Sequence, residues 1–309
     1  MLNKIKSKII ASAPIQFVLL LSKKIVIPGF EGMPLYDVSS FFVNGIQNGY
    51  LTTRASSLAF KFFLAIFPGI IFLITLIPYI PIENFQNELL ILLKDILPKN
   101  AYEATRGTFE DLVKHQRGDL LSFGFLFALF LATDGIHAMI NTFNTSIQVK
   151  ETRSAWKIRL ISLALVVILT VLILLAITLI VFSEQALSYL QSKELIKDSL
   201  SIFLLLAGKW LIILGLFFFA FSFLFFLGPD KKLKWRFISA GSSFATILSI
   251  LASLCFSFYV NQFGNYNKLY GSIGTLIVIM LWIYFNAIII LLGFELNASI
   301  HSAKRKNIV

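Results

Sequence analysis

The sequence is poor in charged residues and holds a single cysteine. Charged side chains make up 14% of the 309 residues, whereas hydrophobic ones make up 57%, and the mean hydropathy is +0.83. A soluble domain needs many more charged groups on its surface, so this composition excludes one and indicates a membrane protein. Cys255 has no other cysteine to pair with and lies in an apolar run, which favours a packing role.

The sequence also lacks the motifs of common catalytic sites. It contains no P-loop, no G-x-S-x-G and no pair of carboxylates on a suitable element. The three histidines, His115, His137 and His301, fall in different parts of the predicted topology, so no metal cluster is expected. We therefore predict no catalytic residue, no metal and no cofactor, and we expect that the protein is not an enzyme.

What the sequence does contain is six apolar runs, each long enough to cross the ~30 Å hydrocarbon core as a helix. The runs cover residues 57–80, 119–144, 158–182, 209–227, 237–260 and 272–296. They predict an all-α, polytopic membrane protein with six transmembrane helices. In the fifth run, Gly241, Ala245 and Ser249 share one ridge, which predicts a surface for close helix packing.

The segments outside these runs predict three regions. Residues 1–56 form an N-terminal interfacial region, with a basic, surface-lying helix within 1–28 and an amphipathic helix over 35–50. Residues 57–300 form the six-helix transmembrane domain, and residues 301–309 form a basic tail. Within the domain, residues 81–118 predict a small outer helical hairpin between the first two spans, and residues 183–208 predict a loop between the third and fourth.

The formal net charge is +11, and most of the basic residues lie in the predicted inner segments of the chain. The two short inner loops carry four basic residues each, which are Lys150, Arg153, Lys157 and Arg159 in one and Lys231, Lys232, Lys234 and Arg236 in the other. By the positive-inside rule, both termini of this multi-pass protein are predicted to be cytoplasmic. The basic excess therefore reflects topology, and no nucleic-acid partner is predicted.

Polar side chains inside the spans are the candidates for function, because burying them in lipid is costly. Asp134, His137 and Asn144 lie along one face of the second span, which indicates either a polar seam between helices or a path for protons or a charged substrate. Arg54 and Lys61 begin the first span. Lys61 either snorkels to the inner interface or joins Arg54 in a cationic patch for lipid phosphate, with Asp134 or Glu295 as alternative partners.

Glu295 and Asn297 follow the last apolar run. A carboxylate at the C-terminal end of a helix opposes the helix dipole and requires a compensating partner. Arg54, on the same predicted side of the membrane, is the preferred partner of Glu295.

Several stretches resemble the YihY/BrkB family of bacterial inner-membrane proteins, some of which have carried a ribonuclease BN label. The stretches are "RASSLAFKFFLAIFP", "INTFNTSIQVKETR", "LGPDKKLKW" and the run from "FSFYVNQFGNYNKLYGSIGT" to "LLGFELNASI". The resemblance implies a plasma-membrane protein with six helices. Positions that match the family's pattern are Arg54, Ala59, Pro68, Asn144, Arg153, Pro229, Asp230, Tyr270, Gly271, Gly274, Glu295 and Asn297. Phe60 replaces a tyrosine usual in the family, and Asp134 and His137 occupy positions that are less polar there.

Together these observations favour a protein that moves or handles a lipid or amphiphilic anion. Arg54 and Lys61 bind the head group in this hypothesis, while Glu295, Asn297 and Asn144 gate or orient it. The alternative is a membrane scaffold that binds an envelope protein through residues 81–118. Membrane lipids are the expected partners, and the sequence predicts no oligomeric state.

Overall fold

The computed structural model describes residues 20–48, 50–79, 107, 111, 116–146, 151–193, 199–230, 237–262 and 272–306. Its long helices are α1 (Leu35–Asn48), α2 (Leu51–Leu76), α3 (Gly118–Ser146), α4 (Ala155–Ser192), α5 (Ser199–Leu227), α6 (Ala240–Gln262) and α7 (Ser272–Lys306). Among these described residues the one β-type contact is an isolated bridge between Val26 and Pro34. The predicted all-α class is confirmed.

Six of these helices are long and apolar enough to cross a membrane. The candidate spans are Leu51–Phe72, Gly118–Ser146, Ala155–Ile180, Ser201–Leu227, Ala240–Tyr259 and Leu276–Arg305. The six predicted spans are therefore confirmed, although the first one begins before residue 57. The predicted outer hairpin at 81–118 lies almost entirely outside the described residues, as does most of the predicted helix within 1–28.

Several helices continue beyond the membrane-length runs, and the predicted loop at 183–208 is wrong for that reason. Most of the predicted loop at 183–208 is helix, since α4 runs to Ser192 and α5 begins at Ser199. The predicted basic tail from residue 301 is also helical as far as Lys306. With 35 residues, α7 is about 52 Å long at the usual rise per residue, well over the thickness of a hydrocarbon core.

The chain divides into two compact units, residues 1–58 with 136–309, and residues 59–135. In the first unit, a phenylalanine cluster forms the centre of the core. The rings of Phe143 and Phe294 stack at 4.0 Å with an interplanar angle of 10°, and Phe225 meets Phe294 edge-on at 5.9 Å. All three side chains are fully buried, so they join α3, α5 and α7 through a large apolar contact.

The far end of α7 packs against the segment that precedes and includes α1. Phe30 and Val38 are buried against Ile300 and Ala303, and Lys304 Nζ forms an ion pair with Glu31 at 2.6 Å. This apolar contact explains why α7 remains helical and ordered past the apolar run that the sequence shows. Residues 301–306 are part of a packed helix and not a free tail.

In the second unit, small residues let α2 and α3 approach closely. A side-chain carbon added at Gly135 would lie 2.9 Å from the Phe62 ring, and one added at Gly124 would lie 3.3 Å from the backbone nitrogen of Phe72. Phe72 also packs on Phe125 at 5.3 Å. Such close contacts hold helices together where lipid offers no hydrophobic driving force.

Candidate functional site

Glu295 is a buried carboxylate in the body of α7, with 7% of its surface exposed. The helix continues eleven residues beyond it, from Glu295 to Lys306. The prediction that Glu295 stands at the C-terminal end of its helix is therefore wrong, and the helix dipole does not explain its need for a partner. Burial explains it instead, because a charged group removed from water requires compensating contacts.

Those contacts come from three other helices of the same unit. Gly45 of α1 lies directly against the carboxylate, since a side-chain carbon built at Gly45 would collide with Glu295 Oε1 and lie 2.7 Å from its Cδ. Ser146, the last residue of α3, hydrogen-bonds to the Glu295 side chain, and Arg54 of α2 is its charged neighbour. We call Gly45, Arg54, Ser146 and Glu295 the Glu295 site.

Arg54 reaches this site through the serine. Its Nη1 donates a hydrogen bond to Ser146 Oγ at 3.0 Å. The structure thus brings together Arg54 and Glu295, the pair preferred from sequence, but the link between them runs through a neutral hydroxyl. Arg54 also stands at the C-terminal end of α3, where the helix dipole favours a positive charge.

The guanidinium of Arg54 uses few of its donors on the described part of the chain. An arginine carries five N–H groups, and the bond to Ser146 is the one side-chain hydrogen bond that Arg54 makes within the described residues. The side chain is also only half-buried. Arg54 can therefore accept an anionic group without first losing a direct ion pair.

Asn297, two residues after Glu295, is fully engaged in holding helix α6. Its Oδ1 accepts a hydrogen bond from the backbone N–H of Gly241 at 2.8 Å, and its Nδ2 donates to Ser239 Oγ at 2.9 Å. These contacts satisfy a backbone donor at the start of α6 that has no partner within that helix. Asn297 thus acts as a cap provided by another helix, which is a structural role.

Gly241 and Gly293 make this cap possible by letting α6 and α7 cross at close range. A side-chain carbon at Gly293 would lie 2.8 Å from both Gly241 O and Ala245 Cβ. Gly241, Ala245 and Ser249 are all buried. The predicted helix-packing ridge of the fifth span is confirmed.

Asn144 belongs to a second polar cluster, which joins the end of α3 to the residues flanking α4 and α5. Its Nδ2 donates to Glu151 Oε2 at 2.7 Å, and its Oδ1 accepts from the backbone N–H of Asp230 at 2.9 Å. Both ends of the amide are thus occupied by protein groups. Asn144 therefore connects the end of α3 to both flanking segments through its side-chain amide.

Arg153 is the centre of the same cluster, which we call the Arg153 network. Its Nε and Nη2 each donate to a different oxygen of Glu151 at 2.8 Å, Nη2 also donates to Gly228 O at 2.9 Å, and Nε lies 3.3 Å from Asp230 Oδ1. Asp230 Oδ2 accepts two further hydrogen bonds from Thr152. The Arg153 and Asp230 side chains are 8% and 5% exposed, so this is a buried, well-satisfied network.

The network lowers the pKa of both of its carboxyls. Hydrogen bonds from Arg153 lower the pKa of Glu151 below its ordinary 4.5, against an opposing effect of burial. Burial acts to raise the pKa of Asp230, but hydrogen bonds from Thr152 and the charge of Arg153 outweigh it, and the pKa falls below the ordinary 3.8. Both groups are therefore ionised at neutral pH and stabilise the folded chain in that form.

The second unit holds an ion pair inside the predicted spans. Lys61 Nζ of α2 lies 2.6 Å from Asp134 Oδ2 of α3, and each side chain is 36% exposed. Of the alternatives that the sequence left open for Lys61, the structure shows the pair with Asp134. His137, one turn further along α3, is half-buried in the other unit.

The part of the chain that the structure describes contains no recognisable metal site. Within those residues, no group of three or more His, Cys, Asp or Glu side chains converges as metal ligands do. The Glu295 site, the Arg153 network and the Lys61–Asp134 pair each combine a cation with a carboxylate instead.

Comparison with known proteins places the chain in a family. The model of the family described as Virulence factor BrkB matches residues 42–308. The chain belongs to this family. The BrkB-family match begins within α1 and ends just past α7, so it includes all six candidate spans and both polar clusters.

Named relatives are similar over most of their length. The chain is 35% identical to "Putative ribonuclease-like protein YfkH" of Bacillus subtilis (strain 168) over 253 residues, which cover 82% of this chain and 91% of that protein. It is 27% identical to a UPF0761 membrane protein of Vibrio campbellii over 261 residues, which cover 84% of this chain and 81% of the relative. No solved structure matches this BrkB-family chain.

Sequence reasoning did not single out several members of these clusters, among them Gly45, Ser146 and Glu151. The Gly45 contact depends on how α1 crosses α7, which the pattern of an amphipathic helix does not show. Ser146 and Glu151 lie in the stretch from Ile140 to Arg153, which carries the family resemblance without indicating which of its residues pair. A weak signal existed, because Glu151 is an acidic residue within a basic loop.

Proposed function

We propose that this BrkB-family membrane protein moves or handles a lipid or another amphiphilic anion, and that Arg54 binds the anionic head group. The observation that carries the proposal is the state of Arg54, which is half-buried and makes a single side-chain hydrogen bond, to the neutral Ser146 hydroxyl, among the residues that the structure describes. A planar guanidinium with free N–H groups suits phosphate, which it can bind through two parallel hydrogen bonds.

The position of Arg54 along its helix supports the same proposal. Arg54 is the fourth residue of α2, and the candidate span begins with that helix at Leu51. A side chain in the first turn of a span lies near the depth of lipid head groups, where a cation attracts anionic lipid. The partly exposed Arg54 therefore meets head groups without entering the hydrocarbon core.

Lys61 gives separate support from the other unit. Its ion pair with Asp134 lies within helices that span the membrane, and both side chains remain partly exposed. A pair of ionisable groups within the spans costs free energy, so its presence indicates a role in function or in helix packing.

Lipid movement in liposomes tests the proposal. Purified protein is reconstituted with fluorescent phosphatidylglycerol, and the fraction of label that becomes accessible to a membrane-impermeant quencher is followed over time. We expect faster exchange than in protein-free liposomes and at least a tenfold loss with Arg54→Ala. Arg305→Ala removes an exposed arginine near the end of α7 and is the matched control.

Two results would contradict the proposal. One is exchange in wild-type liposomes that is no faster than in empty ones, for phosphatidylglycerol and for phosphatidic acid alike. The other is an Arg54→Ala protein that folds and exchanges lipid at the wild-type rate. Thermal unfolding of each variant in detergent establishes whether it is folded.

The proposal includes a location in the bacterial plasma membrane with both termini in the cytoplasm. The distribution of basic residues supports it, because the inner loops and the end of α7 are rich in lysine and arginine. In this orientation the Glu295 site and the Arg153 network both face the cytoplasmic side, since they lie where α3 and α5 end and where α2, α4 and α6 begin.

A further inference from the structure

We infer that Glu295 binds a proton when Arg54 binds its anion, so that the two events are coupled through Ser146. The inference rests on the proposed function, and it adds the coupled ion, a proton, and the residue that carries it. It comes from the arrangement of charges in the Glu295 site.

Among the residues that the structure describes, Arg54 is the charged group that interacts with Glu295. From α3 the facing group is the Ser146 hydroxyl, which connects the two side chains. From α1 it is the backbone of Gly45, which has no side chain to offer. The site as it stands therefore contains one positive and one negative group and is neutral overall.

Anion binding disturbs this balance. With the anion on Arg54 and Glu295 still ionised, two negative charges would share one positive charge, and the buried Glu295 carboxylate would lose the cation that compensates it. An uncompensated charge on a buried carboxylate is costly, and protonation of Glu295 removes it. The site has no net charge in two states. In one state it is empty and Arg54 balances Glu295, and in the other it holds both the anion and the proton. Each ligand therefore raises the affinity for the other, and this effect is reciprocal.

Helix α1 covers one side of the Glu295 carboxylate and so closes one route for a proton from water. The backbone of Gly45 contacts the carboxylate directly, which leaves no room for water between them. A proton that enters from the α1 side therefore requires α1 to shift away from α7. The proton moves from water to a Glu295 carboxylate oxygen, and that oxygen no longer balances the charge of Arg54.

The coupling is measured directly as proton uptake. Purified protein in dodecylmaltoside micelles, in weakly buffered solution with a pH indicator, is titrated with phosphatidylglycerol, and phosphatidylcholine serves as the uncharged lipid control. For wild-type protein we expect uptake approaching one proton per chain with phosphatidylglycerol and none with phosphatidylcholine. Glu295→Gln should take up no proton while still binding phosphatidylglycerol, and Arg305→Ala should behave as wild type.

Affinity provides a second measurement. Once Glu295 is ionised in the empty site, wild-type affinity for phosphatidylglycerol should fall about tenfold for each further unit of pH, as expected for one linked proton. In Glu295→Gln, affinity should be high and independent of pH over the same range. Surface effects of the charged lipid on the micelle act equally on both proteins and cancel in the comparison.

The outcomes separate this inference from the proposed function. If wild type binds phosphatidylglycerol through Arg54 but takes up no proton, the coupling is wrong and the proposed function stands. Equal proton uptake by wild type and Glu295→Gln would also show that the coupling through Glu295 is wrong, and it would leave the proposed function standing. If Arg54→Ala binds phosphatidylglycerol as tightly as wild type, both are wrong. The wild-type titration is decisive even if a Glu295 variant fails to fold.

Discussion

The backbone of Gly45 lies against the carboxylate of Glu295, at a distance that leaves no room for a side chain between α1 and α7. The contact buries a charged group under the interfacial helix and places it next to Ser146, which carries the link to Arg54. One glycine thus determines how closely α1 approaches α7 and which groups Glu295 can reach.

Gly45→Ala should destabilise the protein by about 1–3 kcal/mol, because the added carbon forces either the carboxylate or α1 out of position. The measurement is thermal unfolding in detergent. Gly208→Ala is the matched control, since Gly208 lies inside α5 with nothing near its missing side chain, and alanine there should be neutral or slightly stabilising. Equal stability of the two variants would show that α1 does not rest on Glu295.

Asn297→Ala should cost about 1–3 kcal/mol, because it leaves the buried N–H of Gly241 without an acceptor. Asn286→Ala is the control on the same helix, since the hydrogen bond that Asn286 makes within the described residues goes to the carbonyl of Trp282 one turn away. Denaturant or thermal unfolding compares the two. A loss of lipid exchange by Asn297→Ala without a loss of stability would give Asn297 a functional role instead of the capping role.

The Arg153 network predicts a loss of stability in acid. The pKa values of Glu151 and Asp230 are lowered on folding, so their stabilisation is complete above the unfolded values of 4.5 and 3.8. It is lost as the pH falls through the lower folded values. Melting temperatures measured from neutral pH to about pH 3 should show this decline. Asp230→Asn should begin less stable and decline less, and a parallel decline would refute the assignment.

Lys61→Met and Asp134→Leu should each destabilise the protein, because each leaves a single charge within the spans. The double variant should recover most of that loss, since it removes both charges together. Thermal unfolding of the four proteins forms a double-mutant cycle. Lipid exchange by the stable double variant then separates the roles. Full activity would mean that the pair is structural, and lost activity would support a head-group contact at Lys61.

The proposed orientation predicts which sites a membrane-impermeant thiol reagent labels in intact cells. In a Cys255→Ala background, Lys193→Cys at the end of α4 should be labelled from outside, and Arg305→Cys should be labelled only after the cells are opened. Both positions are exposed, so access depends on the side of the membrane. The reverse pattern would place both termini outside the cytoplasm.

The helices could be predicted from sequence, whereas the partners of the polar residues could be predicted only in part. Apolar run length located all six candidate spans, because crossing a membrane imposes a minimum length. The extension of α7 to Lys306 was missed, because it depends on burial of Ile300 and Ala303 against Phe30. The sequence predicted one polar stripe that includes Asp134 and Asn144. In the structure Asp134 pairs with Lys61, whereas Asn144 belongs to the Arg153 network.

The sequence alone determined that this is a six-span, all-α membrane protein with a basic excess at the predicted inner segments. Hydrophobic length and charge distribution are properties of the chain itself, and they act before any helix meets another. The tertiary structure decided which partners the polar residues take. Asn144 and Asn297 bond to groups at helix ends, whereas Arg54, among the described residues, makes one side-chain hydrogen bond beside a buried Glu295. That distinction depends on how closely helices pack, and glycines such as Gly45 and Gly293 set those distances only once their partner helices are in place.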